Sequence, residues 1–224
     1  MKNEITQIKN GFTLAEVLIT LVIIGVIAAL TIPNVINNTK KQEYVAGLKK
    51  ANSVLSQAVY KIGQSKGYPV GDYSFFNDID FIDELAKVVS VTKKCNSFNL
   101  CVELPLSNNS ENSYKDLKNE NSAVSEGKTL ITSDGQIYSA YKIGSNSYNS
   151  GFGLLQDDIV IWRIFVDING AKKPNKLGYD SFMFLLIDNK GIIPSGANST
   201  SDCNTSSRGV TCAAKVLREN AINY

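Results

Sequence analysis

An apolar run from Phe12 to Ile32 is the feature that most limits how this chain can fold. The run has 21 residues and carries one charge, Glu16. As an α-helix it is on the order of 30 Å long, which is the thickness of the hydrocarbon core of a bilayer. The residues before it include Lys2 and Lys9, so the positive-inside rule keeps the N-terminus in the cytoplasm. The sequence therefore predicts a single-pass membrane helix, with everything after Pro33 on the extracytoplasmic side.

The residue before this run distinguishes it from an ordinary secretory signal, in which a shorter apolar stretch precedes a small-residue cleavage site. Here the small residue, Gly11, comes first, so a cut after it would remove a polar leader and keep the helix. The arrangement resembles the prepilin-peptidase site of type IV pilins and type II secretion pseudopilins, on the residues Gly11-Phe12-Thr13-Leu14-Ala15-Glu16-Val17-Leu18-Ile19. The resemblance implies a membrane peptidase that cuts between Gly11 and Phe12, methylates the new Phe12 amine and leaves a mature chain of residues 12–224.

Glu16 places a carboxylate inside an apolar helix, which costs about 2.5–3.5 kcal/mol at a helix centre. Its position near the helix start lowers this cost, because the side chain can snorkel and the helix terminus is positive. Cleavage would supply a cation, the Phe12 amine, about 6 Å away along the axis of the same helix. The resemblance implies that Glu16 pairs with the Phe12 amine of an adjacent subunit and helps to set the register of assembly. The alternative is a glutamate that only complements the helix dipole.

Gly25 and Pro33 are two positions at which the long helix is weakened. Glycine is a poor helix former, and proline removes a backbone hydrogen bond. The resemblance implies that the helix loosens between these positions in the filament. The alternative is close packing at Gly25 and a kink where the chain leaves the membrane.

Beyond Pro33, apolar residues recur at three- and four-residue steps as far as residue 62. This pattern predicts an amphipathic continuation of the apolar helix, giving about fifty helical residues that end near Gly63. An aspartate in the stretch 77–80 is expected to cap a second helix. Strands and a last helix are then predicted from the remaining periodicity, at residues 129–132, 136–141, 159–168, 182–187, near 192, and 213–220.

These elements predict an α+β, pilin-like fold in which the long helix packs on an antiparallel sheet. Residues 107–127 are predicted to be a surface insertion or a mobile loop, because they are polar. The expected organisation is a cytoplasmic leader, a membrane and filament-core helix, an amphipathic helix half and an α+β head, over residues 1–11, 12–33, 34–62 and 63–224, respectively. The last two together form the extracytoplasmic domain 34–224.

The four cysteines allow three disulfide pairings. Their short spacings favour Cys95 with Cys101 and Cys203 with Cys212. A zinc site is disfavoured, because it would need CxxC-like spacing or histidine ligands. Disulfides predict an oxidising compartment outside the cytoplasm.

Asp167, Asn169 and Asp180 are the candidate metal ligands. They lie in the stretch that begins Val166-Asp167-Ile168-Asn169-Gly170, which resembles a stretch common in the heads of pseudopilin-like proteins. Their oxygens suit calcium, but the further acids and the closing glutamate of an EF-hand loop do not follow. We therefore predict a structural turn, since Asn-Gly is a strong turn dipeptide, and keep calcium as the alternative.

Composition argues against other functional classes. The net charge of +2 gives no indication of a nucleic-acid partner, and the chain has no histidine. Without the usual general base, no enzymatic activity is expected. No cofactor is expected either, apart from calcium as the alternative given above. The predicted function is a structural subunit of a type IV pilus or type II secretion pseudopilus, held in the inner membrane before it enters an extracytoplasmic filament. The expected partners are the prepilin peptidase and methylase, other pilin subunits, the inner-membrane assembly platform and, before assembly, the lipid bilayer.

Two alternatives remain open at this point. The chain could be a minor or tip pilin that binds DNA, a surface or cargo. It could also be a monomeric, membrane-anchored binding protein that never polymerises. Insensitivity of its function to loss of Glu16 would mark the monomeric anchor.

Overall fold

The computed structural model describes residues 11–102, 114–122, 127–143, 152–155, 158–198 and 203–224. Residues 1–10 of the predicted leader, and parts of the predicted insertion 107–127, lie outside the described residues. The chain divides into two compact units, Met1–Lys40 and Lys41–Tyr224.

The described part of the first unit is helical from Leu14 onwards. Helix α1 runs Leu14–Ser65 and has 52 residues, which confirms the predicted helix of about fifty residues. Its residues up to Lys40 are mostly Leu, Ile, Val and Ala, and nearly all of their side chains are exposed. Among the described residues, α1 is the one helix long and apolar enough to cross a membrane, and its most apolar stretch is not buried within the chain. A continuous apolar surface of this size is typical of a segment that contacts a membrane or another protein surface.

In the second unit, α1 contributes one face to the main hydrophobic core. Side chains three and four residues apart share a helix face, so the periodic apolar residues point the same way. This confirms the predicted amphipathic half of the helix. The buried residues are Tyr44, Val45, Leu48, Ala51, Leu55, Ala58, Val59, Ile62 and Gly63.

Within the described residues, one antiparallel sheet has six strands: β1 (Val91–Cys95), β2 (Lys128–Thr132), β3 (Ile137–Lys142), β4 (Val160–Asp167), β5 (Ser181–Ile187) and β6 (Gly191–Pro194). Strands that are neighbours in sequence are also neighbours in the sheet, in the order β1 to β6. The turns suit their sequences, because Gly135 between β2 and β3 has φ 86 and Asn189 between β5 and β6 has φ 61. One face of the sheet shares a core cluster with α1, which confirms the α+β fold with an antiparallel sheet.

Three short α-helices and one 3₁₀ helix complete the described elements: α2 (Phe81–Val88), α3 (Phe98–Cys101), α4 (Cys212–Glu219) and the 3₁₀ turn Ser74–Asn77. Helix α2 has the expected aspartate cap, since the Asp80 carboxylate accepts a hydrogen bond from the Asp83 backbone N–H at 3.1 Å. Such a cap satisfies one of the free N–H groups at a helix start.

Residues 114–122 were predicted to belong to a surface insertion or a mobile loop; the structure leaves residues 118–121 exposed but buries Tyr114 and Leu117. Tyr114 is 1% exposed and Leu117 is 6% exposed. The Tyr114 ring packs edge-on against Phe98 and Phe165, at centroid distances of 5.7 and 5.2 Å. Successive strand residues face opposite sides of a sheet, and Phe165 lies on the side away from the α1 core. The segment is therefore polar in composition but covers the outer face of the sheet.

Candidate functional site

The start of α1 binds the carboxylate of Glu16 within the chain. Glu16 Oε2 accepts hydrogen bonds from the backbone N–H and from the hydroxyl of Thr13, both at 2.8 Å. The Glu16 backbone N–H donates in return to Thr13 Oγ1 at 3.3 Å. This reciprocal arrangement is a capping box, which satisfies donors at the helix start and holds an acid beside its positive end.

The capping box shows how the chain accommodates an acid in an apolar helix. Both donated bonds reach Oε2, so a second donor can approach Oε1. Phe12, whose amine would be that donor in a processed neighbour, is 90% exposed. The role of Thr13 was missed in the sequence, although Thr-x-x-Glu before an apolar run is the recognised signature of a capping box.

Gly25 and Pro33 lie farther along the same helix, and the structure does not bring them to Glu16. Pro33 is 17 residues beyond Glu16, about 26 Å along a helix axis. A methyl group built on Gly25 would meet no atom within 4 Å, so no close packing occurs there within the chain. Helix α1 is continuous through both positions. Loosening of the helix between them stays a prediction about the filament.

Both disulfides of the structure join the local pairs. Cys95 at the end of β1 bonds to Cys101 at the end of α3. Cys203 bonds to Cys212, the first residue of α4. Each bridge closes a short loop, which limits the freedom of the unfolded chain more than that of the folded one.

Asp180 organises the turn that precedes β5. Its carboxylate accepts hydrogen bonds from the backbone N–H groups of Asn175 and Lys176, at 2.8 and 2.6 Å. The side-chain amide of Asn169 donates to it at 3.2 Å. The Asp180 carboxylate therefore links Asn169 with the stretch Asn175-Lys176 through hydrogen bonds. This is the structural role predicted for the stretch.

Asp167 ends β4 and lies fully buried beside this turn. It accepts a hydrogen bond from the Asn169 backbone N–H at 3.1 Å and another from the Tyr114 hydroxyl. Tyr114, another residue that sequence reasoning missed, links the outer segment 114–122 to the turn. The structure thus brings Asp167, Asn169 and Asp180 together.

Burial changes the titration of both acids. It raises the pKa of Asp180 to about 6, against hydrogen bonds from Lys176 and Asn175 that lower it. Burial, and then the charge of Asp180, raise the pKa of Asp167 well above its ordinary value. The physical cause is that a carboxylate loses its hydration in the interior and repels a second carboxylate nearby.

The 167–180 turn also contacts α1 within the second unit. The Tyr44 ring packs edge-on against the Tyr179 ring at 5.5 Å. A methyl group built on Gly47 would lie 3.2 Å from Cβ of Ile168, so the helix and the turn approach closely there. Gln136 strengthens the contact by donating to the Gly47 carbonyl at 3.3 Å. The turn therefore holds the sheet against the helix.

The N-terminal segment is similar to known proteins. The family described as the prokaryotic N-terminal methylation motif matches residues 7–32. Type II secretion system core protein G of Klebsiella pneumoniae is 38% identical over 66 residues, and that of Klebsiella michiganensis is 36% identical over 66 residues.

These matches are partial. Each covers 28% of this chain, and they cover 45% and 44% of the two relatives, so the chain spans less than half the length of the curated relatives it matches. No solved structure gives a significant match. The N-terminal segment of the chain is therefore similar to the prokaryotic N-terminal methylation motif and to type II secretion system core protein G.

Proposed function

We propose that this chain is a structural subunit that assembles into a type IV pilus or a type II secretion pseudopilus through α1. The observation that carries the proposal is an exposed apolar helix with a single carboxylate one turn from its start. A membrane alone would account for the apolar surface but would disfavour Glu16. A bundle of such helices accounts for both, because each neighbour can bring a cation. The role is structural rather than catalytic, as in the family.

Processing is the first step of the proposed assembly. Hydrolysis of the peptide bond between Gly11 and Phe12 leaves a carboxylate on the leader and a free amine on the mature chain. The exposure of Phe12 is compatible with access by a membrane peptidase. Methyl transfer to an amine keeps its positive charge. The mature subunit would therefore present a cation at residue 12 and an anion at residue 16 on one helix.

Pairing between subunits is the second step. Thr13 satisfies Glu16 Oε2 within one chain, and the Phe12 amine of a neighbour would approach Oε1. At an effective dielectric constant of about 20, two unit charges 4 Å apart attract by about 4 kcal/mol. A helix displaced by one turn would leave the carboxylate without its cation. The pair would thereby favour a single register in the bundle.

Glu16→Ala tests this pairing. We expect the variant to enter the membrane normally, because the substitution makes the helix more apolar, and to be strongly depleted from sheared filaments. Glu43→Ala is the matched control, since Glu43 is an exposed acid on the same helix beyond the apolar run. Normal fibres from Glu16→Ala would refute the pairing and favour a monomeric membrane anchor.

The proposed location follows from the same helix. The chain would sit in the inner membrane with its N-terminus in the cytoplasm and its head outside, then move into the filament. Its partners would be the prepilin peptidase and methylase, other pilin subunits and the inner-membrane assembly platform. A protease added to spheroplasts should cleave the head of the unprocessed precursor and spare a tag on its cytoplasmic N-terminus. Protection of the head would contradict this topology.

Calcium binding at Asp167, Asn169 and Asp180 stays a prediction. The hydrogen bonds of the two carboxylates account for the turn without a cation. In favour of calcium, the side-chain oxygens Asn169 Oδ1 and Asn175 Oδ1 are buried with no hydrogen-bond partner among the described residues, and such amide oxygens are calcium ligands. A chelator should lower the melting temperature and the protease resistance if calcium binds. Unchanged values would remove calcium.

A further inference from the structure

A cavity in the second unit, Lys41–Tyr224, lies close to the point where α1 enters that unit. Its volume is about 310 Å³, and it is lined by Leu117, Pro174, Lys176, Tyr179, Thr205 and Tyr224. Tyr179 packs against Tyr44 of α1. Lys41, also on α1, donates to the carbonyl of Ile222 at 3.0 Å, two residues before Tyr224. The cavity therefore adjoins the first α1 residues of the second unit, Lys41 and Tyr44.

The segments that surround this cavity are strongly cationic. The stretches 114–122, 168–180 and 203–224 carry eight Lys and Arg residues and four acids, and two of those acids, Asp116 and Asp180, are buried. Lys172 and Lys173 directly precede Pro174 and are exposed. The exposed acids on these stretches are Glu120 and Glu219. The cations, which define the basic face, are Lys115, Lys118, Lys172, Lys173, Lys176, Arg208, Lys215 and Arg218.

We propose that the basic face docks the head on anionic lipid headgroups of the bilayer that α1 spans before assembly. The inference rests on the proposed membrane insertion. Lys41 follows Pro33 by eight residues, about 12 Å at the helical rise. The headgroup layer extends about 5–7 Å beyond the hydrocarbon core. Chain length alone thus keeps the basic face close to the membrane surface, where the effective concentration of headgroups is high.

The chemistry of the face suits phosphate. Lysine binds phosphate oxygens through charge-assisted hydrogen bonds, and Lys176 lines the cavity together with the hydroxyl-bearing Thr205. The attraction between basic segments and anionic lipid acts within about one Debye length, so it weakens as salt is added. Docking would keep the head of an unassembled subunit on the membrane surface until contacts with other subunits replace those with lipid.

The test uses the full chain in lipid nanodiscs. Hydrogen exchange of segments 172–176 and 204–209 is compared between phosphatidylglycerol-rich discs and phosphatidylcholine discs. We expect slower exchange in the anionic discs at low salt and no difference at high salt. Lys172→Gln combined with Lys173→Gln should lower the ratio of docked to free heads on the order of thirtyfold. The control combines Lys49→Gln with Lys61→Gln, which removes two exposed charges from α1 elsewhere.

Several results would overturn the docking proposal. Equal hydrogen exchange in anionic and phosphatidylcholine discs would contradict it. So would a control variant that loses as much protection as the variant with Lys172→Gln and Lys173→Gln. Inorganic phosphate or a single-stranded oligonucleotide that protects the same segments in phosphatidylcholine discs would assign the face to a soluble anion instead. A chain that fails to enter discs at all would refute the proposed membrane insertion, and docking with it.

Discussion

Raising the pH from about 4.5 to about 7.5 should weaken the head through the buried acids of the 167–180 turn. Burial raises the pKa of Asp180 to about 6 from an ordinary 3.8, so the folded head keeps a proton that the unfolded chain releases. Stability is then greatest below the unfolded pKa and falls as the pH rises towards the folded pKa. For Asp180 alone, the loss between these two pH values is about 2 kcal/mol, or about 4–8 °C in melting temperature for a head of this size. Asp167, whose pKa is also raised, acts in the same direction.

The assay is thermal unfolding of the detergent-solubilised full chain, followed by the fluorescence of Trp162, with a chelator present to exclude calcium. Asp167→Asn should reduce the total loss of stability without abolishing it, because it removes one of the two acids with a raised pKa and leaves Asp180. Asp78→Asn, an exposed acid, is the control. A melting temperature that stays level or rises over this pH range would refute the reasoning.

Other acids change the stability of the head in a different pH range, so the effect of Asp167 and Asp180 can be measured separately. Hydrogen bonds from lysine side chains lower the pKa values of Asp83 and Glu84. Their contribution to stability is present above their unfolded pKa and is lost as the pH falls through the lowered folded pKa. The contribution of Asp83 and Glu84 is therefore lost below about pH 4.5. Above that pH, the change in stability comes from Asp167 and Asp180.

Three further substitutions test the packing of the head by chemical denaturation. Gly47→Ala should destabilise by about 1 kcal/mol, because the new methyl would press on Ile168 at 3.2 Å; a neutral result would mean that the turn can move away. Leu55→Ala should cost about 2–5 kcal/mol, since Leu55 is 0% exposed; a loss below about 1 kcal/mol would contradict its burial. Replacing Cys203 and Cys212 together by serine should cost about 2–4 kcal/mol and leave the sheet's circular dichroism intact; loss of the sheet would give the bridge a larger role.

Periodicity predicted the long helix and most of the sheet, because these elements repeat one chemical pattern over many residues. The apolar steps from residue 44 to residue 62 determine which face of α1 is buried. The hairpin around Gly135 was visible because its turn needs a left-handed residue. In both examples, the sequence pattern that allows the prediction lies within a short stretch of the chain.

Tertiary contacts explain what the sequence did not reveal. Strand β1, Val91–Cys95, has a mostly exposed and polar surface, so it carries no alternation, and it exists through its pairing with β2. Tyr114 lies in a polar segment and is buried only because Phe98 and Phe165 are brought to the same place. Such contacts join residues far apart in sequence, and no local pattern encodes them.

The mass of the mature N-terminus tests the account most directly, since the proposed role of Glu16 requires a cation made by cleavage. Intact-mass and peptide mass spectrometry should be applied to the chain recovered from both membranes and sheared filaments. We expect a polypeptide that begins at Phe12 with one added methyl group on its amine. A filament-borne chain that still carries residues 1–11, with an unmodified amino end, would contradict it.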